Sequence, residues 1–98
     1  MYNAFVFYRF KPEKLEEAKN IWEQGILGKI KEQPGFIRVQ FYSKENGQAI
    51  ALGSWETQEH AQAFMRTGVF ADIKDSFGEC LLEAPNPEEF KLDYFIEK

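Results

Sequence analysis

Residues 33–70 read QPGFIRVQFYSKENGQAIALGSWETQEHAQAFMRTGVF, and the order of signals within them decides the fold. Gln33-Pro34-Gly35 stops a helix, because proline cannot continue one and glycine tolerates the turn that ends it. Phe36 to Tyr42 then alternates, with Ile37, Val39 and Phe41 on one side and Arg38, Gln40 and Tyr42 on the other. That is the mark of a strand with one wet face. Glu45-Asn46-Gly47 is a hairpin turn. The returning strand, Ala49-Ile50-Ala51-Leu52-Gly53, carries no charge on either face and runs up to Trp55. Thr57 caps a helix that holds Phe64 and Met65, and Glu59 in its first turn suits the helix dipole. Thr67-Gly68-Val69-Phe70 closes the block.

Working outward, Tyr2 to Phe10 is apolar or aromatic at nearly every position, as in a strand buried on both faces. Pro12 fits the first turn of a helix, where its missing N–H costs nothing. Leu15, Ala18, Trp22, Ile26 and Ile30 form one apolar stripe, and Glu13, Glu16, Glu17 and Lys31 lie opposite. Gly25 and Gly28 interrupt this helix at about 1 kcal/mol each relative to alanine, for close packing, for a bend, or through loose helix design. After Gly68, Phe70, Ile73 and Phe77 recur at helical spacing up to Gly78. Glu79 to Glu89, with Ala84-Pro85-Asn86-Pro87, reads as a loop. Phe90 to Ile96 alternates as a last strand.

The resulting order is β-α-β-β-α-β, an α+β, ferredoxin-like arrangement with a four-stranded antiparallel sheet. The first and third strands are central in that topology and the second and fourth are edges. The uncharged and alternating strands fall in those places. The 98 residues are expected to form one domain, 1–98. Two helices cover only one face of such a sheet, while its central strands are apolar on both. The bare face is more apolar surface than a soluble monomer tolerates. A homodimer through the sheet face, about a two-fold axis, is the simplest cover.

Composition excludes several functions. With 16 acidic and 12 basic residues and a net charge of −4, the chain has no clustered cations for nucleic acid. No stretch approaches the roughly 18 apolar residues of a membrane span, and no signal peptide is visible. One cysteine, Cys80, fits a reducing compartment, so the expected location is cytoplasmic. One His and one Cys cannot build a zinc site of the usual His/Cys type, and no metal site is expected. No glycine-rich phosphate cradle and no nucleophile elbow occur. His60 reads as a solvated helix residue and Cys80 as a spectator thiol. Trp55 is either an anchor for the strand end or an aromatic wall of a pocket between sheet and helices, and Trp22 is read the same way. Tyr8, Tyr42 and Tyr94 are candidate hydrogen-bonding or acidic groups. Arg9 and Arg38 could hold an acidic or phenolate ligand, or form edge-strand ion pairs.

Arg9-Phe10-Lys11-Pro12, Pro34-Gly35-Phe36, Trp55-Glu56-Thr57 and Gly68-Val69-Phe70 together resemble the antibiotic biosynthesis monooxygenase family, whose members are dimeric α/β barrels. The resemblance implies oxidation of a phenolic or quinol substrate by dioxygen, with no bound metal or flavin and no other cofactor. A haem-degrading branch is similar around Trp55 to Phe70. It uses an Asn, a Trp and a His where this chain has Tyr8, Phe64 and Lys74, so haem degradation is not expected. The quinol-oxidising branch often has a His where Phe64 stands. The reading is therefore a homodimer that binds a small aromatic or apolar molecule and oxygenates it without a cofactor. Trp22, Trp55 and Phe64 would form the walls, and Tyr8 or Tyr94 would handle the proton. The alternative is a non-enzymatic ligand-binding or stress-response dimer on the same scaffold.

Overall fold

A computed structural model describes residues 1–98. Four strands, β1 (Tyr2–Arg9), β2 (Phe36–Ser43), β3 (Gln48–Trp55) and β4 (Asn86–Lys91), form one sheet in the order β2-β3-β1-β4. All three pairings are antiparallel. The uncharged β1 and β3 are central, as their composition requires. Helices α1 (Leu15–Ile30), α2 (Gln58–Arg66) and α3 (Val69–Phe77) carry the covering layer, with short 3₁₀ turns at Pro12–Lys14 and Gly78–Cys80.

The α1 stripe is buried as its spacing demands: Leu15, Ala18, Trp22, Ile26 and Ile30 all enter the core. Gly25 and Gly28 have different reasons to be glycine. A Cβ on Gly25 would stand 2.8 Å from Ile73 Cγ1, so it lets α1 approach α3, whereas a Cβ on Gly28 would meet nothing within 4 Å. The helix-facing side of β3 is built from Ala49, Ala51 and Gly53, which leaves room for large rings. A Cβ on Gly53 would lie 3.1 Å from the Trp55 indole nitrogen. Tyr8, Phe10, Trp22, Trp55, Phe64 and Phe77 fill that room.

Three details depart from the sequence reading. A bulge between Phe36 and Arg38 turns Phe36 onto Trp55, their rings 5.6 Å apart, and leaves Ile37 exposed, so only Val39 and Phe41 keep the expected side. The hairpin forms, but no non-glycine residue has positive φ. Its left-handed residue is Gly47 alone, with φ of 97°, closing a turn in which Gly47 N–H donates to the Lys44 carbonyl. The last strand is Asn86–Lys91, not Phe90 to Ile96, so half of the expected loop is strand. β4 pairs along β1 only as far as Tyr2, opposite Lys91, and residues 92–98 run on with no strand beside them.

Gly47 also ties the hairpin to the rest of the chain. Its carbonyl accepts from Phe10 N–H at 2.8 Å, and a side chain there would collide with the Phe10 carbonyl oxygen, 2.0 Å from the Cβ position. Lys11 N–H donates to the Cys80 carbonyl and Leu82 N–H to the Arg9 carbonyl, both at 2.8 Å.

Candidate functional site

Between sheet and helices lies a continuous aromatic layer. Trp55 meets Phe64 with ring centres 5.3 Å apart, and Trp22 meets Phe41 at 4.8 Å. Tyr8 packs among Phe10, Phe41 and Phe77 at 5.2, 6.2 and 5.3 Å. Four of the five residues expected to shape a ligand site, Trp22, Trp55, Phe64 and Tyr8, therefore share this layer. The fifth, Tyr94, lies on the exposed segment after β4, apart from the others. Tyr8 is 5% exposed, and burial raises its phenol well above the ordinary range. At neutral pH it is a hydrogen-bond donor and not a base.

Sequence reasoning passed over Tyr2. It lies opposite Trp55 across the β1–β3 ladder and packs against the core. Its hydroxyl is sealed from solvent with no hydrogen-bond partner at bonding geometry. Glu89 on β4 and Gln58 on α2 are polar neighbours that influence it without closing such a bond. Burial first, then the Glu89 carboxylate, push its acidity from 10.0 up to about 12. A buried hydroxyl left unpaired costs about 1–3 kcal/mol. An open groove runs beside it between α2 and β4, lined by Gln62, Met65, Arg66, Pro87, Glu88 and Glu89. Nothing in the one-dimensional pattern signals a missing partner, which is why only Tyr2's apolar character was legible.

The opposite face of the sheet has no helix over it. Register places Phe5 and Phe7 of β1, Ile50 and Leu52 of β3, Gln40 and Tyr42 of β2, and Glu88 and Phe90 of β4 on it. Phe5 stacks on Phe7 and meets Phe90 edge-on. Within it Ser54 Oγ–H donates to Asn3 Oδ1 at 2.7 Å, a buried polar pair at one end of the face. At the other end, beside the hairpin, is a cleft of about 520 Å³ floored by Phe7 and Ile50 and edged by Tyr42, Arg9, Lys44 and Asn86. Arg9 is held there only loosely, 4.0 Å from Glu83.

His60 is more structured than a solvated helix residue. Its backbone N–H donates to the Thr57 cap at 3.2 Å, Nδ1 and Thr57 Oγ1 are 2.8 Å apart, and the ring packs on Gly35. Cys80 is buried with Sγ 3.1 Å from Glu17 Oε2. Burial, then the Glu17 carboxylate, push the thiol from 9.0 up to about 11, so it is not a ready nucleophile. No group of three or more His, Cys, Asp or Glu residues is placed to hold a metal ion. No helix is long and apolar enough to cross a membrane.

A family model described as antibiotic biosynthesis monooxygenase matches residues 1–76. No curated protein matches the sequence significantly. Among solved structures, a monooxygenase of Streptomyces coelicolor in complex with nanaomycin D is similar with a TM-score of 0.84 at 17% identity, over 99% of this chain and 91% of that one. A putative antibiotic biosynthesis monooxygenase of Nitrosomonas europaea gives 0.79 at 19% identity, over 96% and 100%. A conserved protein of Methanosarcina mazei gives 0.79 at 19%, over 94% and 92%. At these identities the likeness is one of fold.

Proposed function

The chain belongs to the antibiotic biosynthesis monooxygenase family, and from that premise we propose that it is a homodimeric monooxygenase acting on a small phenol without a bound cofactor. The observation that carries the reading is the unpartnered Tyr2 hydroxyl at the edge of the aromatic layer, beside Trp55 and next to Phe64's helix. A phenolic oxygen is what such a hydroxyl lacks, and flat rings are what Trp55, Phe64 and Trp22 stack against.

The reaction balances without an added reductant. A phenol with hydrogen on its para carbon and one dioxygen give a quinone and one water. One oxygen atom becomes the new carbonyl, and the other leaves with the phenolic and para hydrogens. All four electrons come from the ring. Triplet oxygen accepts the first of them far more readily from a phenolate than from a phenol. Glu89 is the carboxylate placed to take the phenolic proton, Tyr2 O–H then donates to the phenolate oxygen, and Tyr8 donates to the reduced oxygen. Two phenols held protonated by burial are suited to stabilising anions, in a layer that excludes water. In the dimer, the bare faces carrying Phe5, Phe7, Ile50 and Leu52 would cover one another.

An oxygen electrode with a panel of phenols and naphthols tests the reading, with Tyr2→Phe as the variant. That substitution should lower kcat/KM roughly 10- to 100-fold, the worth of one hydrogen bond to a charged oxygen. It should leave stability equal or slightly higher, because the unpaired hydroxyl is gone. No oxygen uptake with any phenol would refute the activity. The non-enzymatic alternative is favoured by one observation: no acidic or imidazole group is among the buried residues. Saturable phenol binding without oxygen uptake would identify it.

A further inference from the structure

We infer that residues 92–98 of one copy occupy the hairpin-end cleft of a second copy, so that two chains exchange their C-terminal segments across the bare sheet face. The inference rests on the face-to-face dimer proposed above and says which parts meet.

Two unsatisfied features fit one another. Tyr94, Phe95 and Ile96 are 85%, 64% and 90% exposed, three consecutive large apolar side chains with no contact layer of their own. The cleft floored by Phe7 and Ile50 is an apolar seat of about 520 Å³ with nothing in it from its own chain. Their charges are complementary. The segment carries Asp93 and Glu97 on either side of its apolar triplet, and the cleft edge carries Arg9 and Lys44. Arg9's one acidic neighbour, Glu83, is too distant and too exposed to compete strongly.

Distance excludes the segment's own cleft. Lys91 pairs with Tyr2, while the cleft lies by Phe7 and Asn86, five residues along the same strands, or about 17 Å. Ile96 is five residues past Lys91 and heads away from it, with a reach of about 17 Å even fully extended. Turning back would consume residues the segment does not have before Ile96. A two-fold copy laid head to tail on the face has its hairpin end where this segment emerges. The arrangement also explains why Phe90 to Ile96 carries strand-like alternation although the strand stops at Lys91. The residues are patterned for a strand, and β1 has none left to offer them.

The test uses the full chain. Analytical ultracentrifugation compares the unaltered protein with a variant combining Tyr94→Ala, Phe95→Ala and Ile96→Ala. The dimer dissociation constant should rise at least roughly a hundredfold, as loss of a central apolar anchor does. Separately, Gln48→Cys and Ile96→Cys proteins are mixed and oxidised, and a disulfide between the two chains is expected. An unchanged dissociation constant, or no cross-link between copies, overturns the exchange while leaving the face-to-face dimer standing. An unaltered protein that sediments as a monomer overturns both.

Discussion

A buried thiol or phenol that loses its proton acquires a charge with no solvent around it. Cys80 and Tyr2 are both in that position, and the sign of the effect follows from the direction of their shifts. Each is harder to ionise folded than unfolded, so the native state keeps protons that the unfolded chain releases. Stability is therefore full below pH 9.0 and falls as the pH climbs through Cys80's folded value of about 11, then Tyr2's of about 12. Thermal unfolding midpoints measured between about pH 8 and 12 should decline, and Cys80→Ala should flatten the lower part of that decline. At this scale the sequence was partly legible. Trp22, Trp55 and Phe64 could be assigned to one layer from their spacing. The Cys80–Glu17 contact joins residues 63 positions apart, and the unpaired state of Tyr2 is a property of three elements at once. Neither leaves a local trace.

Elements were read more successfully where burial imposes a period. Five residues of α1 face inward because every third or fourth one must, and the alternation on β2 survives except where a bulge moves Ile37 outward. β4 was misplaced for a physical reason: its residues are exposed throughout, so no burial pattern fixes where pairing starts and stops. Its limits come instead from β1, which the strand's own residues do not describe. The two glycines of α1 now make contrasting predictions. Gly28→Ala should stabilise the protein by about 1 kcal/mol, since it gains helix propensity in open space. Gly25→Ala gains the same propensity but drives a methyl into Ile73, which is buried and branched, so it should destabilise instead. Urea titrations of the two variants side by side decide the point, and equal effects would mean that α1 and α3 are not closely packed.

For the whole molecule, one sheet face is covered by helices and the other is bare, a conclusion reached from strand composition and matched by the register of the pairing. What covers the bare face belongs to the assembly. Leu52→Lys, placed at its centre, should produce a monomer in sedimentation with an unchanged far-ultraviolet circular dichroism spectrum, because a lysine there is tolerated when wet and not when sandwiched. A variant that stays dimeric would move the interface elsewhere.

Phe10 lies where three distant stretches are stitched together, through Gly47 to the hairpin, through Leu81 to the segment after α3, and through its own ring to Phe77. Such a clasp denies the hairpin tip the independent flapping that surface turns usually enjoy. In deuterated solvent the Phe10, Lys11 and Leu82 amides, although they lie at or beyond the end of β1, should exchange as slowly as those of the central strands. They should be released together, when the domain opens as a unit.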